Sequence, residues 1–172
     1  MEKLNPTIKP IDRIAPYEQK YEASCGPASL SIALRALGHS NTEERIMREG
    51  EMSMTGVEWE DMLKYVSDKM FYPLVYRTRA TYEDLLEEHQ DIGYPIFVCW
   101  KTDRTLREGG NFAGSFKAEP GPHFSVVKYM TKDEIYIADP SFGDIFKMTR
   151  EDFLDRWYEE GSERCFMGIR PR

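Results

Sequence analysis

Tyr21-Glu22-Ala23-Ser24-Cys25-Gly26-Pro27-Ala28-Ser29-Leu30-Ser31-Ile32-Ala33-Leu34-Arg35-Ala36-Leu37-Gly38 is the stretch from which the rest of the chain is best understood. Small residues surround Cys25, and an apolar helical pattern begins directly after it. Leu30, Ile32, Ala33, Leu34 and Leu37 cover most of a helix circumference, so the spacing predicts a central, buried helix that stops at Gly38. The thiol then sits at a helix N-terminus, where unpaired backbone N–H groups and the helix dipole favour thiolate over thiol. A free cysteine has a pKa near roughly 8.5, and helix-terminal or imidazolium-paired cysteines fall to roughly 3.5–7.5. Pro27 suits the first turn, where its missing N–H costs nothing. Gly26 leaves the backbone open to an approaching carbonyl group.

Outward from this segment, 172 residues make one ordinary domain, and nothing resembling an interdomain linker interrupts residues 1–172. A net charge of −7, with acidic and basic residues interspersed, argues against a phosphate-binding surface and hence against nucleic acid as a partner. No run approaches a transmembrane span, and Met1-Glu2-Lys3-Leu4-Asn5-Pro6 lacks the apolar core of a secretory signal, so a cytoplasmic location is expected. Cys25, Cys99 and Cys165 form an odd set with no C-x-x-C pair, which speaks against a disulfide framework and against structural zinc. No metal or other cofactor is expected. Cys99 lies in the apolar run Tyr94–Trp100 and Cys165 near the C-terminus, both in contexts where cysteine is a small hydrophobe.

The pattern predicts helices first and a sheet after them. A short charged helix is expected around Thr42–Glu49. Three further helices are expected behind capping boxes at Thr55/Glu58, Thr81/Asp84 and Thr149/Asp152. The first of these carries Trp59, Met62, Leu63, Val66 and Met70 on one stripe. Strands are expected at Pro95–Trp100, Phe124–Met130, Glu134–Ala138, Asp144–Met148 and Arg164–Ile169, with a turn at Thr131–Asp133. Helices segregated from a largely antiparallel sheet make an α+β fold. The glycine-containing segment 101–122 is too long for a plain hairpin connection, and loops of that length are usually functional.

Three histidines compete for the role of base to Cys25. His39 follows the helix stop and His89 rides an acidic helix, so both read as surface residues. His123 opens a strand after the long loop and can present its imidazole to a sulfur on another element. Asp139 ends the next strand, and Pro140 holds it extended. An ordinary register about the 131–133 turn brings His123 and Asp139 to adjacent strand ends on one face, where the carboxylate would accept the Nδ1 proton of the imidazole. Gln19, shortly before Cys25, offers a carboxamide donor that could join the Cys25 backbone N–H around a developing oxyanion.

These residues resemble those of the papain-like cysteine peptidases that process bacteriocin precursors after a double-glycine leader and are usually fused to export transporters. The resemblance rests on Gln19, on Ser24-Cys25-Gly26-Pro27-Ala28 with its helix, on His123-Phe124-Ser125-Val126-Val127, and on Asp139-Pro140 followed by Gly143. It implies a papain-like fold, Cys25 as nucleophile, His123 as base and then acid, Asp139 as its orienting residue and Gln19 as oxyanion donor. It also implies a peptide or protein substrate and association with an export transporter or another protein. Two features depart from it: residues 1–172 themselves carry no transporter segment, and segment 101–122 is longer than is usual, long enough to reshape or cover a substrate groove. Two other outcomes use the same residues: a γ-glutamyl or acyl transferase like the phytochelatin synthases, in which an amine replaces water, and a catalytically silent peptide-binding module.

Overall fold

The computed structural model describes residues 9–53, 55–102, 121–157 and 164–170. A 3-10 turn at Pro10–Arg13 leads into helices α1 (Cys25–Ala36), α2 (Glu43–Glu49) and α3 (Trp59–Lys64), the last continuing as a π-helical turn over Tyr65–Lys69. Strand β1 (Leu74–Arg77) and helix α4 (Tyr82–Ile92) follow. Then come β2 (Ile96–Thr102), β3 (Gly121–Met130), β4 (Glu134–Asp139), β5 (Asp144–Thr149), helix α5 (Arg150–Arg156) and β6 (Phe166–Ile169). The six strands form one sheet in the order β1-β6-β2-β3-β4-β5, and every pairing is antiparallel.

The sheet is covered on both faces. Alternate residues of a strand point to opposite faces. Accordingly Phe97 and Cys99 of β2 pack with α1 and α3, whereas Ile96, Val98 and Trp100 pack with Tyr82 and Leu85 of α4 and Phe153 of α5. This two-sided burial explains why the β2 sequence is continuously apolar rather than alternating. Helix α1 is apolar on most of its circumference because it lies between α2 and β3, with only Arg35 exposed along its length from Gly26 to Ala36.

The helices start largely where their polar residues dictate. The Thr81 hydroxyl accepts from the Asp84 N–H while the Asp84 carboxylate accepts from the Thr81 N–H. The hydroxyls of Thr42 and Thr149 likewise cap α2 and α5. The expected start at Thr55 is wrong. Thr55 instead bonds Ser53, and Gly56 has a φ of +142°, outside any helical region. Extended Glu58 is the N-cap of α3, in a capping box with Asp61. The stripe predicted for this helix also shifts: the wider π turn buries Tyr65 beside Val66, while Leu63 and Met70 are only partly buried.

Strand β1 was not foreseen, and it breaks the expected segregation of helices from strands. Its burial pattern is weak, with the second half exposed, because it is the sheet edge. It is held by β6, which inserts between β1 and β2. Segment 103–120, the greater part of the long connection before His123, lies outside the described residues. No described helix is long and apolar enough to cross a membrane.

Candidate active site

Cys25 is the first residue of α1, and the turn before it is closed by its own side chains. Ser24 Oγ donates to the Tyr21 carbonyl at 2.8 Å and accepts from the Tyr21 N–H at 3.2 Å. Gly26 is placed where a Cβ would lie 3.2 Å from Val57 Cβ, so a side chain there would push α1 away from the segment leading into α3. Half-buried Cys25 thus stands on a rigid helix start, its sulfur facing β3. Burial works against the thiolate, yet hydrogen bonding from His123, its positive charge and the Phe124 backbone N–H together hold the thiol below its ordinary value.

His123 is buried on β3. Its Nε2 lies 2.9 Å from Asp139 Oδ2 and 3.1 Å from Oδ1. Burial alone would lower the imidazole pKa, but the Asp139 charge, its hydrogen bond and the Cys25 sulfur outweigh it and raise it well above the ordinary range. The two shifts are opposite in sign, and both favour a thiolate beside an imidazolium, with Asp139 contributing most to the rise of the imidazole.

The structure corrects the expected geometry of this pair. A register shift between Val127 and Tyr129 separates two pairings, Val126 with Ala138 on one side and Tyr129 with Tyr136 on the other. Continuing the first by one step sets Asp139 opposite Ser125 rather than His123, so the carboxylate reaches the imidazole diagonally along the same face. It meets Nε2 instead of the expected Nδ1.

Gln19 is fully buried, not solvated as a loop glutamine would normally be. Its Nε2 donates to the carbonyls of Tyr21 at 2.7 Å and Glu22 at 2.9 Å, and its Oε1 accepts from Ser141 Oγ at 3.3 Å. The amide orientation follows from these partners, since the reverse would set Oε1 against two carbonyl oxygens. The four expected residues are therefore joined: Ser141 Oγ also lies 3.1 Å from His123 Nε2, and the Ser141 N–H donates to Asp139 Oδ1 at 2.8 Å.

Two contributors were missed from sequence. Ser141 gave no signal beyond standing two residues after an Asp-Pro pair. Glu43, read only as part of a charged helix, is buried. It accepts from the Lys20 N–H and the Tyr17 hydroxyl, all at 3.2 Å, and so anchors the Gln19 loop to α2. The reading of the other histidines as surface residues also needs correction. His89 is buried between α4 and Tyr129 of β3, and His39 is half-buried with its Nε2 2.9 Å from the Tyr72 hydroxyl. Neither contacts the Cys25 site. Cys99 and Cys165 are buried core residues. Among the described residues no cluster of His, Cys, Asp or Glu could hold a metal ion.

A helix-borne thiol facing an imidazole on an antiparallel sheet is the arrangement of the papain-like fold. The chain belongs to the Peptidase_C39 like family, whose model matches residues 11–165. Among solved structures it is similar to the peptidase domain of Streptococcus ComA, a bifunctional ABC transporter of a quorum-sensing pathway. That likeness has a TM-score of 0.68 at 17% identity and covers 92% of this chain and 99% of that one. A putative C39-like peptidase from Bacillus anthracis gives a TM-score of 0.68 at 15% identity over 94% and 96% of the two chains. A double glycine motif protease from an AMS/PCAT transporter, solved with its leader peptide, gives 0.59 at 17% over 92% and 91%. No curated protein sequence matches the chain.

Proposed function

We propose that the chain is a cysteine peptidase that cuts a peptide bond after a Gly-Gly-type sequence through a thioester acyl-enzyme. The observation that carries this reading is the continuous contact from a helix-start thiol through His123 to buried Asp139, with both pKa shifts favouring the ion pair. In the first step Cys25 Sγ adds to the scissile carbonyl carbon, and the carbonyl electrons move onto oxygen. The oxyanion meets the Cys25 backbone N–H at the start of α1 and the Gln19 carboxamide. Both hydrogens of that carboxamide point to carbonyls at rest, so one turns from Tyr21 or Glu22 to the oxyanion as charge develops. The imidazolium gives its proton to the leaving amine, the C–N bond breaks and the thioester remains. His123 then takes a proton from water, whose oxygen adds to the thioester carbon. The C–S bond breaks, releasing the acid and restoring the thiolate–imidazolium pair.

The Gly-Gly preference is supported by the family and by the relative solved with a leader peptide. Association with an export transporter is the matching partner proposal, since two similar structures are peptidase domains of transporters. A cytoplasmic location and a single domain spanning residues 1–172 fit the same reading.

The test is a panel of Gly-Gly-X peptides incubated with the protein, with and without amine acceptors, and read by mass. Cleavage after the second glycine supports the proposal. An amide product formed only with added amine would show an acyl transferase instead, and unchanged peptides across the panel would overturn the Gly-Gly preference.

A further inference from the structure

Two side chains to which the resemblance assigns no role, and which the triad does not include, stand behind Asp139. Trp100 of β2 and Ser125 of β3 are both fully buried, and Trp100 is the cross-strand partner of His123. The Trp100 indole Nε1–H donates to Ser125 Oγ at 2.9 Å, and Ser125 Oγ donates to Asp139 Oδ2 at 2.8 Å. The direction of this chain is fixed by chemistry: an indole nitrogen only donates and a carboxylate only accepts, so the single serine proton is committed to Asp139.

The terminal torsion of an aspartate is broad and gives no orientation by itself. Here the two oxygens are pinned separately, Oδ1 by the Ser141 N–H and Oδ2 by Ser125. That leaves one rotation, and it sets Oδ2 2.9 Å from His123 Nε2. The Trp100 ring meets the imidazole edge-on, with centroids 5.9 Å apart at 72°, so the same side chain bounds the ring it helps to orient. We propose that Ser125, oriented by Trp100, is a positioning residue that locks the Asp139 carboxylate toward His123. The inference rests on the Cys25–His123–Asp139 reading and extends it by two residues.

The experiment follows Cys25 alkylation by iodoacetamide as a function of pH, with peptide mapping and a thermal unfolding curve for each variant. In Ser125→Ala the carboxylate keeps the Ser141 N–H tie but loses the one that holds Oδ2 at Nε2, so the imidazolium should lose its proton at lower pH. The rise of the labelling curve should move to higher pH, toward that of Asp139→Ala, because a weaker imidazolium favours the thiolate less, and turnover should drop roughly tenfold. Ser125→Thr, which keeps the hydroxyl, should restore the wild-type curve. In the Asp139→Ala background Ser125→Ala should change nothing further. A wild-type curve in Ser125→Ala, whatever its unfolding temperature, would overturn the proposal, as would a shift that persists in full without the Asp139 carboxylate. Should Asp139→Ala fail to fold, the Ala and Thr variants decide alone, and equal curves for the two sink the idea. A wild-type protein whose Cys25 is not preferentially alkylated would instead sink the peptidase reading itself.

Discussion

The backbone N–H of Gln19 donates to the carbonyl of Pro140 at 2.7 Å, so the loop before the nucleophile and the turn after Asp139 are one unit. Ser141 adds a second tie through the Gln19 carboxamide. The turn itself closes through the Gly143 N–H, which donates to the Asp139 carbonyl at 3.0 Å. The oxyanion donor and the orienting carboxylate, distant in sequence, therefore cannot move independently.

Gly143 is the point at which this unit is most easily broken. Its φ is +64°, and a Cβ there would lie 2.8 Å from the Glu18 backbone nitrogen. Gly143→Ala combines left-handed strain with a backbone clash and should destabilise the fold by about 1–3 kcal/mol. It should also lower turnover by moving Glu18 and Gln19 away from Cys25. Urea unfolding and steady-state kinetics check both, and a variant with wild-type stability would show that the turn relaxes without cost.

Much of this was legible in the sequence for a local reason. The thiol, its helix and the His–Asp hairpin are each specified by residues close in the chain: Cys25 through Gly38, and His123 through Asp139. The misses came from long-range contacts. Strand β1 exists only because β6, nearly a hundred residues later, pairs with it. The burial of Gln19 was not legible either, because it depends on Ser141 and the Asp139–Pro140 turn, far along the chain. The Nε2 pairing was missed because the orientation of the imidazole ring is set by its contacts with Asp139 and Ser141 in the folded site, which no sequence pattern carries. The start of α3 moved because Gly56 separates Thr55 from its helix, a conformational detail that a capping pattern does not carry.

Cys25 should be alkylated at pH 7 much faster than Cys99 or Cys165. It is partly accessible and held toward the thiolate by His123 and the Phe124 N–H, whereas the other two are buried. Cys25→Ala should abolish turnover and leave the unfolding curve nearly unchanged, since the lost thiol is small and only partly buried. Peptide mapping after brief iodoacetamide treatment reads the first expectation, and comparable labelling of all three thiols would contradict it.

The pH dependence has a definite sign. The Cys25 thiol is lowered and the His123 imidazole raised, so the ion pair exists between the two displaced values. Labelling should rise at a pH below that of an ordinary thiol, and turnover should fall only when the pH passes well above the usual imidazole range. His123→Ala removes the hydrogen bond and positive charge that favour the thiolate, so the rise should move to higher pH and turnover should be nearly lost. Asp139→Asn should keep the fold and lose activity by up to roughly 10⁴. The loss should stay below that limit, because the thiolate–imidazolium pair is already charged before substrate binds. A shift of the labelling curve in His39→Ala or His89→Ala, with none in His123→Ala, would reassign the base.

Gln19 provides the sharpest test, because its carboxamide is both a structural tie and the proposed oxyanion donor. If one amide hydrogen turns to an oxyanion that exists only in the transition state, Gln19→Ala should lower kcat by roughly 10²–10³ with little change in substrate binding. The thiolate–imidazolium pair does not use that hydrogen, so Cys25 alkylation should stay fast. The alternative is that Gln19 only holds the Tyr21–Glu22 turn through its bonds to their carbonyls. Its loss would then loosen the start of α1 and slow alkylation and turnover together. Gln19→Glu separates the two further: the carboxylate keeps the shape of the side chain but sets an acceptor against both carbonyls and the oxyanion, so it should be at least as impaired as Gln19→Ala. Wild-type kcat in Gln19→Ala would remove this residue from the chemistry and leave the Cys25 backbone N–H as the oxyanion donor.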